Sequence, residues 1–440
     1  MKRIDLWLLG LFFTVSGTAQ TVLTAEQAVA ELLQNNFEVR LAENSVELAG
    51  VNANKANVGL YPVVQMSGGI NGDYGGARQS FQNGDQIEAS ANLQQLYNAS
   101  IGMNYNLYQG GERQLSLDRL FEEVDRMELQ KQLTIETQMT ELLTRFYQAA
   151  EAAAQYRLQE ELVVFSEERL ERVETNLEYG RGSSLDVTNA EVDLQRDKAN
   201  LINARMMRDQ RLRELLLFMG RTEEEVELQL DAEVEYGLVL GREDLLKEAM
   251  KRNLQLSLVD VDRALLSYEE QILEAQRKPT VSFNTDYGYT FQDFGQGAFF
   301  AQQRSNGVGA GINVSWNLYD GGRAKQQRQA LEVQMQGNNL RKEQQELQIK
   351  SQLLNLYDNY QAALELNAVE KRSIEAAQEA FDRTREEYNL GRLGQIEFRQ
   401  AQINLRNAQL AERQTAYNAK ILELQIAQLA GLIRDERYYY

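Results

Sequence analysis

The strongest constraint on the fold is an internal duplication of the chain. The segment Leu107-Tyr108-Gln109-Gly110-Gly111 recurs as Leu318-Tyr319-Asp320-Gly321-Gly322, and 318 − 107 gives a spacing of 211 residues. The same spacing relates Gly180 to Gly391 and Gly220 to Gly431. Upstream of these motifs the spacing becomes 217, as between Pro62 and Pro279. The 440-residue chain therefore contains two copies of one structural unit.

The composition excludes several classes of site and partner. The chain contains no Cys and no His, which removes disulfides, thiol nucleophiles, His general bases and most transition-metal sites. Its formal net charge of −19 argues against a nucleic-acid partner. We find no convergent acid, base and nucleophile, so we predict no enzyme activity, no cofactor and no metal. With only two prolines, the sequence suits long uninterrupted helices.

Residues 1–19 have the pattern of a secretory signal peptide. Lys2 and Arg3 form a basic start, an apolar core follows, and Gly17-Thr18-Ala19 supplies small residues for cleavage after Ala19. An uncleaved membrane anchor is the alternative, for which the apolar stretch is too short. No later apolar run of roughly 18 residues occurs, so we predict no transmembrane helix.

The duplication predicts a division of the chain into five parts. They are a signal peptide (1–19), a first repeat (20–220), a connecting equatorial segment (221–241), a second repeat (242–433) and an exposed C-terminal tail (434–440). Each repeat is predicted to hold a helix, two strands and two further helices, in that order.

Each copy is predicted to begin with one helix. Thr24-Ala25-Glu26-Gln27 has the sequence of a capping box, and we expect its helix to run to about Val58. The counterpart runs from near Glu243 to Arg277. The prolines Pro62 and Pro279 follow these helices, and proline is tolerated at the first residue of a strand.

Beyond each proline the hydrophobic period changes to two. In the second copy, apolar residues alternate with small polar ones, as Val281, Phe283 and Tyr287 do with Ser282 and Asn284. In each copy a second strand then leads back to Leu107 or Leu318, and each strand is about ten residues long. That length crosses an outer membrane at a tilt. The alternative is a half-buried antiparallel sheet in a soluble protein. The polar face is small and, apart from Asp73 and Asp286, uncharged, and aromatic residues gather near the strand ends, which favours the membrane.

Four strands cannot close a barrel, and open strand edges are not tolerated in lipid. If the strands span a membrane, several chains must therefore contribute strands to one barrel.

Behind each Gly-Gly pair, a helix of roughly 70 residues is predicted, which corresponds to about 100 Å. It ends at Gly180 or Gly391, and a second helix returns to Gly220 or Gly431. Apolar residues at steps of three and four form a seam along these helices. The seam consists of Met139, Leu142, Phe146, Ala149, Ala153 and Tyr156 in the first copy and Leu353, Tyr357, Tyr360 and Leu364 in the second.

At this point the chain resembles the TolC family of outer-membrane efflux proteins, over essentially the whole length from Thr24 to about Ile433. The resemblance lies in the duplicated element order, the two Leu-Tyr-x-Gly-Gly junctions and the helix turns that begin at Tyr179 and Tyr388. It implies a mixed fold, with a trimeric 12-stranded β-barrel in the outer membrane of a Gram-negative bacterium and a 12-helix periplasmic tunnel. It further implies a passive exit duct that docks to a periplasmic adaptor (membrane fusion) protein and an inner-membrane pump.

The resemblance assigns roles to particular residues. The adaptor-docking turns are matched by Gly180, Arg181, Gly182, Leu390, Gly391, Arg392 and Leu393. The acidic periplasmic entrance is matched by Asp186 and Glu397, and a constriction tyrosine by Tyr388. The barrel–tunnel junctions are Tyr108, Gly110, Gly111, Tyr319, Gly321 and Gly322, and the helix–strand junctions are Pro62 and Pro279. The family's constriction arginine is replaced here by Leu393.

Two of these roles have structural alternatives. A three-fold ring of carboxylates would favour cations, but Asp186 could instead cap the returning helix, as Ser183 or Ser184 could. Tyr388 could simply pack between helices.

Other motifs carry less weight. Gly307-Val308-Gly309-Ala310-Gly311 resembles half of a dinucleotide fingerprint, but it is predicted inside a strand and opens no helix. Glu223-Glu224-Glu225 is interpreted as a solvated face. The leading function is thus an efflux duct. The alternatives are the outer-membrane channel of a type I protein-secretion system and a periplasmic coiled-coil scaffold or adhesin.

Overall fold

The computed structural model of the chain describes residues 22–221, 228–295 and 301–438. The predicted signal peptide and the Glu223-Glu224-Glu225 cluster lie outside the described residues. The chain divides into two compact units. The sheet unit comprises residues 42–132 and 254–347, and the helical unit comprises residues 1–41, 133–253 and 348–440. Each unit takes segments from both copies of the repeat.

The elements follow one another in the duplicated order. In chain order they are β1 (Val22–Thr24), α1 (Ala25–Asn35), α2 (Phe37–Asn52), β2 (Val63–Ser80), β3 (Gln86–Gln109), α3 (Glu112–Glu178), α4 (Ser184–Phe218), β4 (Gln229–Asp231), α5 (Arg242–Arg252), α6 (Leu254–Ala275), β5 (Thr280–Asp293), β6 (Gln302–Ser315), α7 (Arg323–Asn389), α8 (Gln395–Leu429) and a short 3₁₀ turn (Glu436–Tyr438).

The sheet unit contains an antiparallel four-stranded sheet in the order β2-β3-β5-β6. Its strands are 14 to 24 residues long, so the prediction of about ten was too short. The β2–β3 pairing continues through polar residues to Ser80 opposite Gln86. Backbone pairing does not require alternating apolar side chains, and here Arg78 also forms an ion pair with its cross-strand partner Glu88.

The predicted extent of β6 is wrong at its end. We expected the strand to reach Leu318, but its last paired residue is Ser315, opposite Thr280. Thr280 follows Pro279, which has no N–H to donate, so the ladder ends there. The equivalent strand β3 reaches Gln109 because Gln109 pairs with Thr280 from the other side of β5.

The first predicted helix is in fact two helices in each copy. The capping box at Thr24 is confirmed, since Thr24 Oγ1 accepts from Gln27 N at 3.2 Å. The chain then turns extended at Asn36 (ψ 130°) and, in the second copy, at Asn253 (ψ 121°). The helices that follow end at Asn52 and Ala275 rather than at Val58 and Arg277.

The two asparagines break the helices because they bond elsewhere. Asn36 Nδ2 donates to the carbonyl of Phe218 at 2.8 Å, and Asn253 Nδ2 donates to that of Leu429 at 2.9 Å. A Cβ on Gly220 would lie 2.7 Å from Asn35 O, and one on Gly431 would lie 2.8 Å from an atom of Arg252. The repeated Asn and the repeated Gly therefore meet in each copy of the helical unit.

The long helices match their prediction. Helices α3 and α7 have 67 residues each, and α4 and α8 have 35 each. The central residues of the predicted seam are at most 3% exposed, namely Met139, Leu142, Phe146, Ala149, Leu353 and Tyr360. Within the described ranges, no helix carries an apolar stretch long enough to cross a membrane.

The predicted exposed tail is wrong at Tyr438, which is 2% exposed, whereas Tyr439 and Tyr440 lie outside the described residues. The segment before Tyr438 packs against the connecting segment, since a Cβ on Gly237 would lie 2.2 Å from Arg437 O. Glu423 on α8 also contacts Gly237, because its carboxylate accepts the Gly237 N–H at 2.6 Å. The C-terminal segment therefore belongs to the fold of the helical unit, while β4 pairs with β1 in parallel.

A buried carboxyl on α3 makes this packing sensitive to pH. Glu136 is 5% exposed and its Oε1 lies 3.3 Å from Arg434 Nε. Burial raises the pKa of Glu136 from its ordinary value of 4.5 to about 7, against the opposing effect of Arg434. The folded chain therefore binds more protons than the unfolded chain between these two values.

We predict that this group destabilises the fold as pH rises from 4.5 through about 7. The shift corresponds to a loss of up to ~3 kcal/mol. Thermal unfolding, followed by circular dichroism across this range, should show a weaker decline for Glu136→Gln than for the wild type. Glu141→Gln, an exposed carboxylate on the same helix, is the control and should keep the wild-type profile. Parallel profiles for wild type and Glu136→Gln would contradict the prediction.

Candidate functional site

The two turns between the long helices share one backbone design. After α3, Arg181 N donates to Asn176 O at 2.8 Å and Gly180 N to Leu177 O at 2.9 Å. After α7, Arg392 N donates to Glu387 O at 2.9 Å and Gly391 N to Tyr388 O at 3.0 Å. Both glycines have positive φ, 71° and 72°, as the left-handed residue of a Schellman motif requires.

Around these turns, side chains project into solvent. Tyr179, Leu185, Leu390 and Ile396 are 64 to 82% exposed. Arg181 and Arg392 are also exposed, and Arg392 lies 3.4 Å from Glu387. Gly182 sits close to the helix end, where an added Cβ would lie 3.0 Å from Leu177 N. Leu393 is 37% exposed. The turns therefore present an accessible apolar and cationic surface.

The two predicted entrance acids occupy equivalent first turns, of α4 and α8. Asp186 accepts from Ser183 N at 3.2 Å while Ser183 Oγ accepts from Leu185 N at 3.2 Å, so the capping alternative for Asp186 is what the hydrogen bonds show. Glu397 folds back over Gly394, where a Cβ would lie 2.8 Å from its Oε2. Its carboxylate is exposed.

Tyr388 is packed between helices. Its ring stacks on Phe398 at a centroid distance of 4.5 Å and an angle of 4°, and the Arg172 guanidinium lies 5.1 Å from the ring centroid. Arg172 also donates to Asn389 at 2.7 Å. Burial raises the pKa of Tyr388, opposed by Arg172. The tyrosine thus ties the end of α7 to α8 and to α3.

A buried ionic cluster, absent from the sequence predictions, lies on the helices leading to the turns. We call it the Asp197 cluster: Gln159, Ser166, Asp197 and Arg399. Asp197 Oδ2 accepts from Ser166 Oγ at 2.6 Å, and Arg399 Nη2 donates to Asp197 Oδ1 at 2.6 Å. The side chains of Asp197 and Arg399 are 2% and 11% exposed. The cluster joins α3, α4 and α8.

The repeat could not reveal the Asp197 cluster, because its members are not duplicated. At a spacing of 211, Asp197 corresponds to Ala408 and Arg399 to Thr188. One signal was available. Asp197 continues the apolar series Ala190 and Leu194 at helical spacing, and a carboxylate at such a seam position requires a partner.

The two strand-to-helix junctions differ in packing. At the first, a Cβ on Gly110 would lie 2.1 Å from Ala275 O, and Lys278 Nζ donates to Gly110 O at 3.3 Å. Gly111 and Gly322 share positive φ, and Gly321, with a φ of 72°, has open space around it. Tyr108 and Tyr319 are 46% and 82% exposed. Pro62 and Pro279 stand immediately before β2 and β5.

Among the described residues, no group of Asp and Glu side chains is arranged to hold a metal ion. The candidate site therefore consists of two accessible turns, and stacked aromatic residues and buried ion pairs hold the helices that carry them.

Comparisons with known proteins address the family and the fold. A family model described as "Outer membrane efflux protein" matches residues 28–221 and 245–432. A search of curated proteins found no match. The fold matches solved outer-membrane channels over most of both chains.

Three such channels illustrate the likeness. The Campylobacter jejuni CmeC outer membrane channel has a TM-score of 0.71 and 11% identity, covering 98% of this chain and 94% of that one. The open state of the Neisseria gonorrhoeae MtrE channel has 0.69 and 16%, covering 93% and 89%. VceC from Vibrio cholerae has 0.67 and 15%, covering 92% and 96%. At these identities the likeness establishes the fold.

We predict that the Asp197 cluster stabilises the helical unit far more than a neighbouring surface ion pair. Asp197→Asn leaves Arg399 unpaired in a buried site, which costs about 3–5 kcal/mol. Lys198→Gln is the matched control, since Lys198 and Glu167 also join α4 to α3, at 2.8 Å, with side chains 45% and 51% exposed. Its cost should be about 0–1 kcal/mol.

The midpoint of thermal unfolding in detergent measures both effects. Asp197→Asn combined with Arg399→Met should recover part of the loss, because neither charge is then left unpaired. Equal losses for Asp197→Asn and Lys198→Gln would contradict the prediction.

Proposed function

This chain belongs to the outer membrane efflux protein family, and we propose that it is the outer-membrane exit duct of a tripartite efflux pump. In this proposal it acts as a homotrimer and as a passive channel, not as an enzyme. The energy and the choice of substrate come from an inner-membrane pump, which is linked through a periplasmic adaptor protein.

The observation that carries the proposal is the open four-stranded sheet. Strand β2 pairs with β3 alone and β6 with β5 alone in the described part of the chain, so both outer strands have unpaired edges. In a membrane these edges must be satisfied by another chain. Because β2 and β6 are opposite edges, one copy's β6 can pair with the next copy's β2 around a ring. Three copies then give twelve strands.

One helix of the sheet unit also carries a row of exposed apolar side chains. Val333, Leu340 and Leu347 on α7 repeat every seven residues and are 65 to 69% exposed. The other side of α7 packs on α6, where Lys342 Nζ lies 2.6 Å from Asp260. A heptad stripe of large apolar residues is the pattern that packs against another helix. A second copy of this chain supplies that helix in the proposed trimer.

The helix turns support the proposed partners. Adaptor docking is assigned to Gly180, Arg181, Gly182, Leu390, Gly391, Arg392 and Leu393. Their exposed apolar and cationic side chains suit an apolar, acidic partner helix end. Asp186 and Glu397 would form two carboxylate rings in the trimer, which would attract cations. The capping hydrogen bond of Asp186 leaves its charge in place, so both roles are compatible.

The trimer is tested by one substitution on the stripe. Leu340→Glu places charges at the proposed interface and should convert heat-labile trimers, extracted from outer membranes in detergent, into monomers. Asn339→Glu, at the neighbouring exposed position, adds the same charge to another face and should leave the trimer intact. A water-soluble wild-type monomer would instead favour the scaffold alternative.

The acidic entrance is tested by planar-bilayer conductance in a salt gradient. Asp186→Asn with Glu397→Gln should move the reversal potential towards zero, because the channel loses carboxylates that favour cations. Glu43→Gln with Glu47→Gln, two exposed acids on α2, removes the same charge and should leave the potential unchanged. Identical potentials for wild type and the entrance variant would reject the ring.

The class of cargo is tested in cells. Deletion of the gene should raise sensitivity to dyes, detergents and antibiotics. Unchanged sensitivity together with a missing secreted protein would favour the type I secretion channel.

A further inference from the structure

A cavity of about 550 Å³ opens in the sheet unit where β6 gives way to α7. The end of α6, the segment from Trp316 to Asp320 and the first turns of α7 line it. Its lining includes the aromatic residues Trp316 and Tyr319 and the basic residues Arg277, Arg323, Lys325 and Arg328. Neither the docking turns nor the entrance acids include any of these residues.

The aromatic residues of the cavity are exposed, and a hydrogen bond holds the Trp316 indole in place. Trp316 Nε1 donates to the carbonyl of Arg277 at 3.0 Å, which fixes the indole at the cavity. Trp316 remains 59% exposed, and the following Leu318 and Tyr319 are 78% and 82% exposed. Tryptophan and tyrosine with an apolar body and a polar tip concentrate at the headgroup level of membranes.

Two of the basic residues that line the cavity are not held in ion pairs in the described part of the chain. Within the described residues, neither Arg323 nor Lys325 makes an ion pair closer than 4.0 Å. The acids that line the cavity are engaged. Glu274 lies 3.1 Å from Arg328, and Asp320 accepts the N–H groups of Gly322 and Ala324 at 2.9 and 2.8 Å. Arg277, 63% exposed, also lines the cavity and is paired with Glu274 at 3.4 Å.

The strand-to-helix scaffold does not require these cations. At a spacing of 211, Arg323 corresponds to Glu112 and Lys325 to Gln114. In the first copy Glu112 is bonded to Gln109 at 2.6 Å and to Gln276 at 2.8 Å. The basic pair therefore belongs to the second junction alone, in a chain whose net charge is −19. This local excess of positive charge is what an anionic ligand would require.

We propose that this junction cavity binds the headgroup of an anionic phospholipid from the periplasmic leaflet of the outer membrane. Arg323, Lys325 and Arg277 contact the phosphate, while Trp316 and Leu318 lie along the acyl chains. The inference rests on the proposed function, which puts the ends of β5 and β6 at the membrane surface. Cations that adjoin a membrane segment attract anionic lipids, and each contributes about a fivefold gain in binding.

Trp316 makes the site directly observable. The chain has two tryptophans, Trp7 in the predicted signal peptide and Trp316, so in the mature protein, from which the signal peptide is removed, all tryptophan fluorescence comes from the cavity. The protein is reconstituted in phosphatidylcholine vesicles that contain a small fraction of brominated phosphatidylglycerol or of brominated phosphatidylcholine. Bromine quenches tryptophan on contact. We expect the anionic lipid to be preferred ~10-fold or more.

Two double variants assign the preference to the cavity. Arg323→Glu with Lys325→Gln installs the residues of the first copy and should abolish the preference. Arg341→Glu with Lys350→Gln changes two exposed positions further along α7 and alters the charge by the same −3 (−2 and −1), so it should retain the preference. No preference in the wild type, or equal losses in the two double variants, would overturn the proposal.

Two further measurements distinguish a lipid ligand from a soluble anion, and the lipid site from the duct itself. Soluble sn-glycerol 3-phosphate should not relieve the quenching; if it competes as well as unlabelled phosphatidylglycerol does, the site binds soluble anions and the lipid proposal fails. Conductance and trimer content are measured on the same vesicles. Conducting trimers without lipid preference reject the lipid site and leave the duct standing. An absence of trimers and conductance rejects the duct and, with it, the membrane placement of the cavity.

Discussion

The unpaired edges of the four-stranded sheet are the constraint on which the rest of the structure depends. Backbone N–H and C=O groups on β2 and β6 have strand partners on one side only in the described chain. In water such an edge would be a liability for aggregation, and in lipid each unmet group is costly. In the proposed trimer the chain's two hairpins form one third of a closed wall, which satisfies both edges.

The helical unit is stabilised in a different way. Its longest helices bury an apolar seam that includes Leu142, Phe146 and Leu353. Specific polar contacts between the helices add to this packing. Asn36 and Asn253 bond to the ends of α4 and α8, the Asp197 cluster joins three helices, and Lys420 and Glu423 are fully buried 3.4 Å apart. Such contacts fix one arrangement, because removing either partner leaves a buried charge or a buried donor.

Residues that occur in both copies lie at the turns and breaks of the scaffold, whereas the Asp197 cluster and the proposed lipid site are built from residues that occur in one copy only. The Schellman glycines and the Asn breaks occur in both copies and make equivalent hydrogen bonds in each, and the junction glycines have positive φ in both copies. The Asp197–Arg399 pair and the basic residues Arg323 and Lys325 occur in one copy only. Repeated features therefore mark what the fold needs, and unrepeated charged features mark where the two halves have acquired separate roles.

The sequence by itself determined the repeat, the element order, the helix ends at Gly180 and Gly391, and the capping box at Thr24. The helix ends and the capping box are local signals, carried by residues within a few positions of one another, and the repeat can be seen by comparing residues 211 positions apart. Only the tertiary structure decided that the first helix breaks at Asn36, that β6 stops at Ser315 and that Tyr438 is buried. It also decided that Asp197 meets Arg399. In these cases the deciding partner lies far away in the chain, as Phe218 does for Asn36, and no local pattern records which distant group will satisfy a hydrogen bond or a charge.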